Sequence, residues 1–99
     1  MENTTDLQFL TYLYDKIISR RDSPDDEKSY VRSLFQKGID RIAQKVGEEA
    51  VETVIEAKND HKEAFIYEAS DLLFHLLVLL VAKGVSLADI IAELKKRDK

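Results

Sequence analysis

The chain has no cysteine and no tryptophan, and only one proline, one methionine and three glycines in 99 residues. Without a thiol it can form neither a disulfide nor a thiolate metal site, so any bound metal must be held by oxygen or histidine. The opening "MENTTDLQ" lacks the basic-then-apolar pattern of a secretory signal. The longest uninterrupted apolar run, Leu76 to Ala82, falls far short of the roughly 20 residues a membrane span requires. There is no block of basic residues, and the net charge is −4, so neither nucleic acid nor a membrane is an expected partner and the expected location is the cytoplasm. What is present is 44% hydrophobic and 34% charged residues, a composition that suits one soluble domain over residues 1–99. A chain this short has difficulty burying a sizeable core alone, so a second copy is expected to complete it.

Strand-period alternation is also missing, whereas helical spacing recurs throughout, which predicts an all-α fold. Leu7, Leu10, Leu13, Ile17 and Ile18 make Thr5 to Ser19 an amphipathic helix, with Thr5 and Gln8 spaced as a capping box. The polar stretch "RRDSPDDEK" reads as a loop, with Ser23 before Pro24 as a cap for the next turn of helix. A helix from about Asp26 to Asn59 is expected to bend or break at Gly38. Its apolar residues Ile39, Val46, Ala50 and Ala57 face the core, and Gly47 marks close helix packing. Asn59 and Asp60 form a tight turn, and Asp60 with Glu63 caps a helix that runs to Lys83 and stops at Gly84. Ser86 caps a last helix whose Leu87, Ile90, Ile91 and Leu94 form the stripe of a docked segment.

Within "KVGEEAVETVIEAKN", Glu48, Glu49, Glu52 and Glu56 share an arc of about 100° with Lys45. Like charges at i, i+4 repel by a few tenths of a kcal/mol per pair, and one lysine offsets only part of that. A solvated face is the plain explanation for this helix taken alone. The next helix weakens it. "AFIYEASDLLFHLLVLLVA" is apolar nearly all round, yet Glu68, Asp71 and His75 fall within about 60° of one another. Charged groups are seldom buried unless paired or bound to metal.

A turn at Asn59-Asp60 makes the two helices antiparallel and sets Glu52 opposite Glu68, and Glu48 and Glu49 opposite Asp71, roughly 12 to 17 Å up the hairpin. Carboxylates meeting at one level repel unless cations lie between them, and ligands that are all oxygen select Mg²⁺ or Mn²⁺. Such ions leave positions open for phosphate oxygens, and Lys37, Arg41 and Lys45 recur at four-residue spacing beside them, placed to contact phosphates beyond the metal. His75 reads as a hydrogen-bonded core histidine more readily than as a base. His61 reads as structural, and no Ser or Cys nucleophile pattern accompanies either.

"EEAVE" followed after fifteen residues by "EASD" resembles the EExxE…ExxD signature of the MazG-like nucleotide pyrophosphohydrolases. The segments "KGIDRIAQKVGEEAVETVIEAKN", "YEASDLLFHLLVLL" and "KGVSLADIIAELKKR" further resemble the phosphoribosyl-ATP pyrophosphohydrolase family, from Phe9 to Arg97. The resemblance implies hydrolysis of the α–β phosphate bond of N1-(5-phosphoribosyl)-ATP with Mg²⁺, the second step of histidine biosynthesis. It implies Glu49, Glu52, Glu68 and Asp71 as metal ligands and Glu48 as the residue that binds a second metal or orients the attacking water, which leaves Glu48 and Glu49 as the candidate catalytic carboxylates; His75 joins Lys37, Arg41 and Lys45 as a candidate on the substrate side. Where the family pattern has Thr after a Ser-Tyr pair, "SYVRSL" has Val31. Many relatives carry a fused cyclohydrolase domain; here phosphoribosyl-AMP would pass to a separate protein.

The apolar run Leu72 to Ala82 predicts a homodimer or higher homo-oligomer, in which paired helical hairpins complete a four-helix bundle. Two other readings stay open: a house-cleaning hydrolase of non-standard nucleoside triphosphates within the same superfamily, and a non-enzymatic helical dimerisation module.

Overall fold

The structure is a computed structural model describing residues 4–23 and 29–98. The described residues form six helical segments and no strand: α1 (Thr4–Leu7), α2 (Phe9–Arg21), α3 (Tyr30–Lys37), α4 (Ile39–Ala57), α5 (Lys62–Lys83) and α6 (Leu87–Arg97). The all-α expectation holds, with several boundaries moved. The first helix is interrupted at Gln8, which offers no side-chain cap to α2. The expected cap at Ser23-Pro24 concerns residues 24–28, outside the described residues. α3 starts at Tyr30, where Ser29 takes the extended N-cap conformation and its hydroxyl accepts from the Arg32 amide at 3.2 Å. Gly38, at φ 96°, breaks α3 from α4 with a backbone that L-residues rarely adopt.

Asp60 and Glu63 do not cap α5; the position belongs to His61, which makes no side-chain capping bond. Gly84 closes α5 in the left-handed conformation at φ 68°, and the Val85 amide reaches back to the Leu80 carbonyl at 2.9 Å. Ser86 and Asp89 form a reciprocal capping box that starts α6. Arg32 joins the start of α3 to the end of α2 by donating to the Arg21 and Ser23 carbonyls at 3.3 and 2.7 Å. The Tyr14 hydroxyl donates to the Val85 carbonyl at 2.7 Å and fixes α2 to the end of α5.

One core forms where α2, α3, α4 and α5 meet: Ile17, Val31, Leu34, Ile42, Leu77, Val78 and Val81 are buried, with Leu10, Leu13, Ile18 and Phe74 packed around them. Val31 therefore fills a core position, where a methyl group serves better than a hydroxyl. On α4 Ile42 is buried and Val46 and Ala50 are half-buried on the expected side, while Ile39 and Ala57, the first and last residues of the helix, are exposed. A Cβ at Gly47 would meet nothing within 4 Å, so that glycine does not mark close packing within this chain. α6 buries no residue, and Ile90, Ile91 and Leu94 stay exposed rather than docked on this protomer.

Among the described residues only α5 is long and apolar enough to cross a membrane. Glu68 and Asp71 lie within its length, and Leu77, Val78 and Val81 are buried against the other helices, which is how a core helix is used. The radius of gyration, 14.9 Å, exceeds the roughly 13 Å of a compact domain this size. The α4–α5 hairpin extends past the core, with Val51, Val54, Ile55 and Ile66 exposed.

Candidate metal and phosphate site

The hairpin register is set by hydrogen bonds as well as by the turn. The Thr53 hydroxyl donates to the carbonyls of Glu49 at 2.7 Å and Glu68 at 3.1 Å, so α4 and α5 are pinned at that level. Two groups of acids and imidazole converge there. Glu49, Glu52 and Glu68 each offer a carboxylate oxygen within 4.8 Å of the others, and Glu49, Asp71 and His75 do the same. Glu49 is the shared corner.

That corner is only 3% exposed, and Glu49 Oε2 is buried without a hydrogen-bond partner. Its Oε1 lies 3.5 Å from Lys45 Nζ. The neighbouring Asp71 carboxylate, near enough to share a proton, together with burial and the charge of Glu52, pushes Glu49 up to about 7 against the opposing pull of Lys45. Partial burial and Glu52 also raise Glu68. Burial alone disfavours the Lys45 ammonium, but Tyr30, Glu49 and Glu48 outweigh it and hold its pKa above the ordinary value. A cluster that must keep a proton to relieve its own repulsion, with one oxygen left orphaned, is a donor set that a divalent cation satisfies.

His75 sits differently from the acids. It is buried, and its Nδ1 is 2.8 Å from the Asp71 backbone carbonyl, which can only accept, so Nδ1 carries its proton and has no lone pair for a metal. In the neutral ring Nε2 then accepts the Tyr30 hydroxyl at 2.7 Å. Both nitrogens are used. Tyr30 packs edge-on to His75 and near-parallel to Phe74, with centroids 5.7 and 6.4 Å apart. Burial, ahead of the opposing pull of Lys45, raises the Tyr30 phenol, which keeps its proton for this bond.

Glu48 stands outside both groups. Its carboxylate accepts from Gln44 Nε2 at 3.0 Å and lies 3.7 and 3.8 Å from Arg41 and Lys45. Glu56 is turned toward the hairpin end, where it accepts from Asn59 at 3.4 Å. Lys37 ends α3 ahead of the Gly38 break, so it no longer continues the Arg41–Lys45 row along one helix. Tyr30 was not among the residues the acidic pattern pointed to; the signal for it was the "SY" pair at a helix start, Ser29 capping and Tyr30, itself half-exposed, reaching His75 with its hydroxyl.

Comparison with known proteins adds an independent line. Residues 10–98 match the family described as PRA-PH, phosphoribosyl-ATP pyrophosphohydrolase. The chain is 54% identical over 89 residues to a phosphoribosyl-ATP pyrophosphatase of Listeria monocytogenes, covering 90% of this chain and 84% of that one. It is 48% identical over 91 residues to the protein of that name from Leptospira biflexa, covering 92% and 98%. It is 52% identical over 99 residues to the histidine biosynthesis bifunctional protein HisIE of Caldanaerobacter subterraneus, covering 99% of this chain and 48% of that one. The chain thus spans about half the length of the bifunctional relatives it matches.

Proposed function

The chain belongs to the phosphoribosyl-ATP pyrophosphohydrolase family, and we propose that it hydrolyses N1-(5-phosphoribosyl)-ATP at the α–β anhydride to phosphoribosyl-AMP and pyrophosphate, the second step of histidine biosynthesis, in the cytoplasm. The observation that carries the reading is the orphaned, buried Glu49 Oε2 at the corner of an oxygen-rich cluster. Glu49, Glu52, Glu68 and Asp71 would hold Mg²⁺, with Mn²⁺ as a substitute of similar ligand preference. When bound, the ion neutralises charge on the polyphosphate and acidifies the water that attacks.

The chain's own groups supply the rest. Glu48 lies beside the ligand cluster but outside it, held by Arg41 and Gln44, where it can orient the attacking water and receive its proton. Glu49 is the second carboxylate able to take that proton. Lys45, kept charged between Glu48 and Glu49, is the chain's nearest cation to the cluster and would contact a phosphate oxygen of the substrate. Arg41 offers a second cation on the same helix, and Lys37 a third from the end of α3. His75 acts on the substrate side through Tyr30, whose ring and hydroxyl it holds in place.

We propose a homodimer or larger homo-oligomer as the working form. Val51, Val54 and Ile55 on α4, Ile66, Leu73 and Leu76 on α5, and Ile91 and Leu94 on α6 are all exposed in one protomer. Two hairpins packed as a four-helix bundle would cover them.

The test is pyrophosphate release from phosphoribosyl-ATP, with and without Mg²⁺, by wild type and Glu52→Gln. Metal-dependent release, lowered at least about 100-fold by the substitution, supports both the reaction and the carboxylate cage. Cleavage of dUTP or dCTP in place of phosphoribosyl-ATP would move the substrate elsewhere in the superfamily. Inertness toward all of them would leave a helical dimerisation module.

A further inference from the structure

A second feature is tied to the surroundings of the carboxylate cluster through Tyr30. α2, α3 and α5 enclose an open cavity of ≈ 340 Å³, within the size range of small-molecule sites. Leu13, Ile17 and Phe74 supply apolar walls, and Tyr30 supplies an aromatic one. Lys16 and Arg20 line the same cavity, one helical turn apart on α2. Tyr30 belongs to both places: its ring lines the cavity, and its hydroxyl is bonded to His75 beside Asp71.

The substrate has two anionic ends. Its triphosphate is matched by the metal cluster, and the rest of the molecule is an adenine between two riboses, with a single phosphate on the far one. A cleft linked to the cluster through the Tyr30–His75 bond, apolar and aromatic along its walls and cationic on its α2 side, has the chemistry of that remainder. A mononucleotide lacking the second ribose phosphate would leave the α2 cations without a partner in the substrate.

We propose that this cleft receives the phosphoribosyl-adenine end of the substrate, with Tyr30 and Phe74 against the base and Lys16 and Arg20 on the distal 5-phosphate. The assignment rests on phosphoribosyl-ATP being the substrate. It makes Lys16 and Arg20 the residues that separate phosphoribosyl nucleotides from ordinary ones, and it leaves the bond-breaking groups untouched.

Calorimetry in EDTA, with phosphoribosyl-AMP and AMP as probes, tests it on wild type and a Lys16→Gln/Arg20→Gln double variant whose melting temperature is measured alongside. The wild type should bind phosphoribosyl-AMP more tightly than AMP, and the double variant should lose about tenfold for phosphoribosyl-AMP alone. In turnover, KM for phosphoribosyl-ATP should rise by about the same factor with kcat nearly unchanged. Equal binding of the two nucleotides by the wild type, or equal loss for both in a folded variant, would overturn the assignment. A wild type that releases no pyrophosphate from phosphoribosyl-ATP sinks the substrate reading and this one with it; normal turnover with an unchanged KM in the variant sinks this one alone.

Discussion

Replacing Glu49 with glutamine separates the two forces acting on the carboxylate cluster. Without metal, the Glu49 carboxyl is raised from 4.5 to about 7 by Asp71, burial and Glu52. A group whose folded pKa lies above its unfolded one holds the proton more tightly when folded. Its contribution is therefore complete below pH 4.5 and is lost as pH rises toward 7. At about 1.4 kcal/mol per pH unit the loss is at most about 3–4 kcal/mol. Asp71 is 34% exposed, so solvent screening brings this to about 1–2 kcal/mol. Glutamine keeps the shape and removes the charge. In EDTA at pH 8, Glu49→Gln should melt roughly 5–10 °C above wild type at equal protein concentration, and the pH dependence between 4.5 and 7 should flatten. Saturating Mg²⁺ should reverse the order, since binding to the native state at a hundred times Kd adds about 2.7 kcal/mol to the wild type and little to the variant. Circular dichroism melts in both buffers read out both effects. A variant no more stable than wild type in EDTA at pH 8, or an equal Mg²⁺ shift in the two proteins, would refute the reasoning.

Three other perturbations probe the supports of the site. His75→Ala removes a buried ring packed against Phe74 and leaves the Tyr30 hydroxyl and the Asp71 carbonyl without their partner; denaturant titration should show a loss of about 3 kcal/mol. Gly84→Ala meets no neighbouring atom, so its cost is only that of the left-handed backbone, about 1 kcal/mol or a fall of 4–8 °C in melting temperature, and Gly84→Asn should cost less. Leu73→Glu with Leu76→Glu places charge on the exposed side of α5; sedimentation equilibrium should find a dimer or larger for the wild type and a monomer for the variant, and equal masses for the two would place any interface elsewhere.

Much of the fold is written locally. Ser86 with Asp89, Gly84 after Lys83 and Gly38 between two apolar stretches mark ends that the structure keeps, because caps and left-handed glycines act within one turn of chain. The level at which the acids meet was also legible, since a tight turn and a fixed rise per residue leave little freedom in a hairpin. Other signals misled for the same local reason. Asp60 and Glu63 have capping-box spacing, yet His61 takes the cap position. Leu87, Ile90, Ile91 and Leu94 have the stripe of a docked helix, yet only Leu87 packs against the core and the other three stay exposed.

The sequence by itself determined that this is a helical chain with carboxylates gathered at one height of a hairpin, because helix period and turn position are properties of neighbouring residues. Only the tertiary structure decided that Glu49 is the buried corner and that His75, bonded to the Asp71 carbonyl one turn back, spends its other nitrogen on Tyr30. Helical arithmetic gives each side chain an angle about its own axis. Which angle points inward depends on how α3 and α5 cross α4, and that is fixed by Ile17, Leu34, Ile42, Leu77 and Val78 packing together across more than sixty residues of chain.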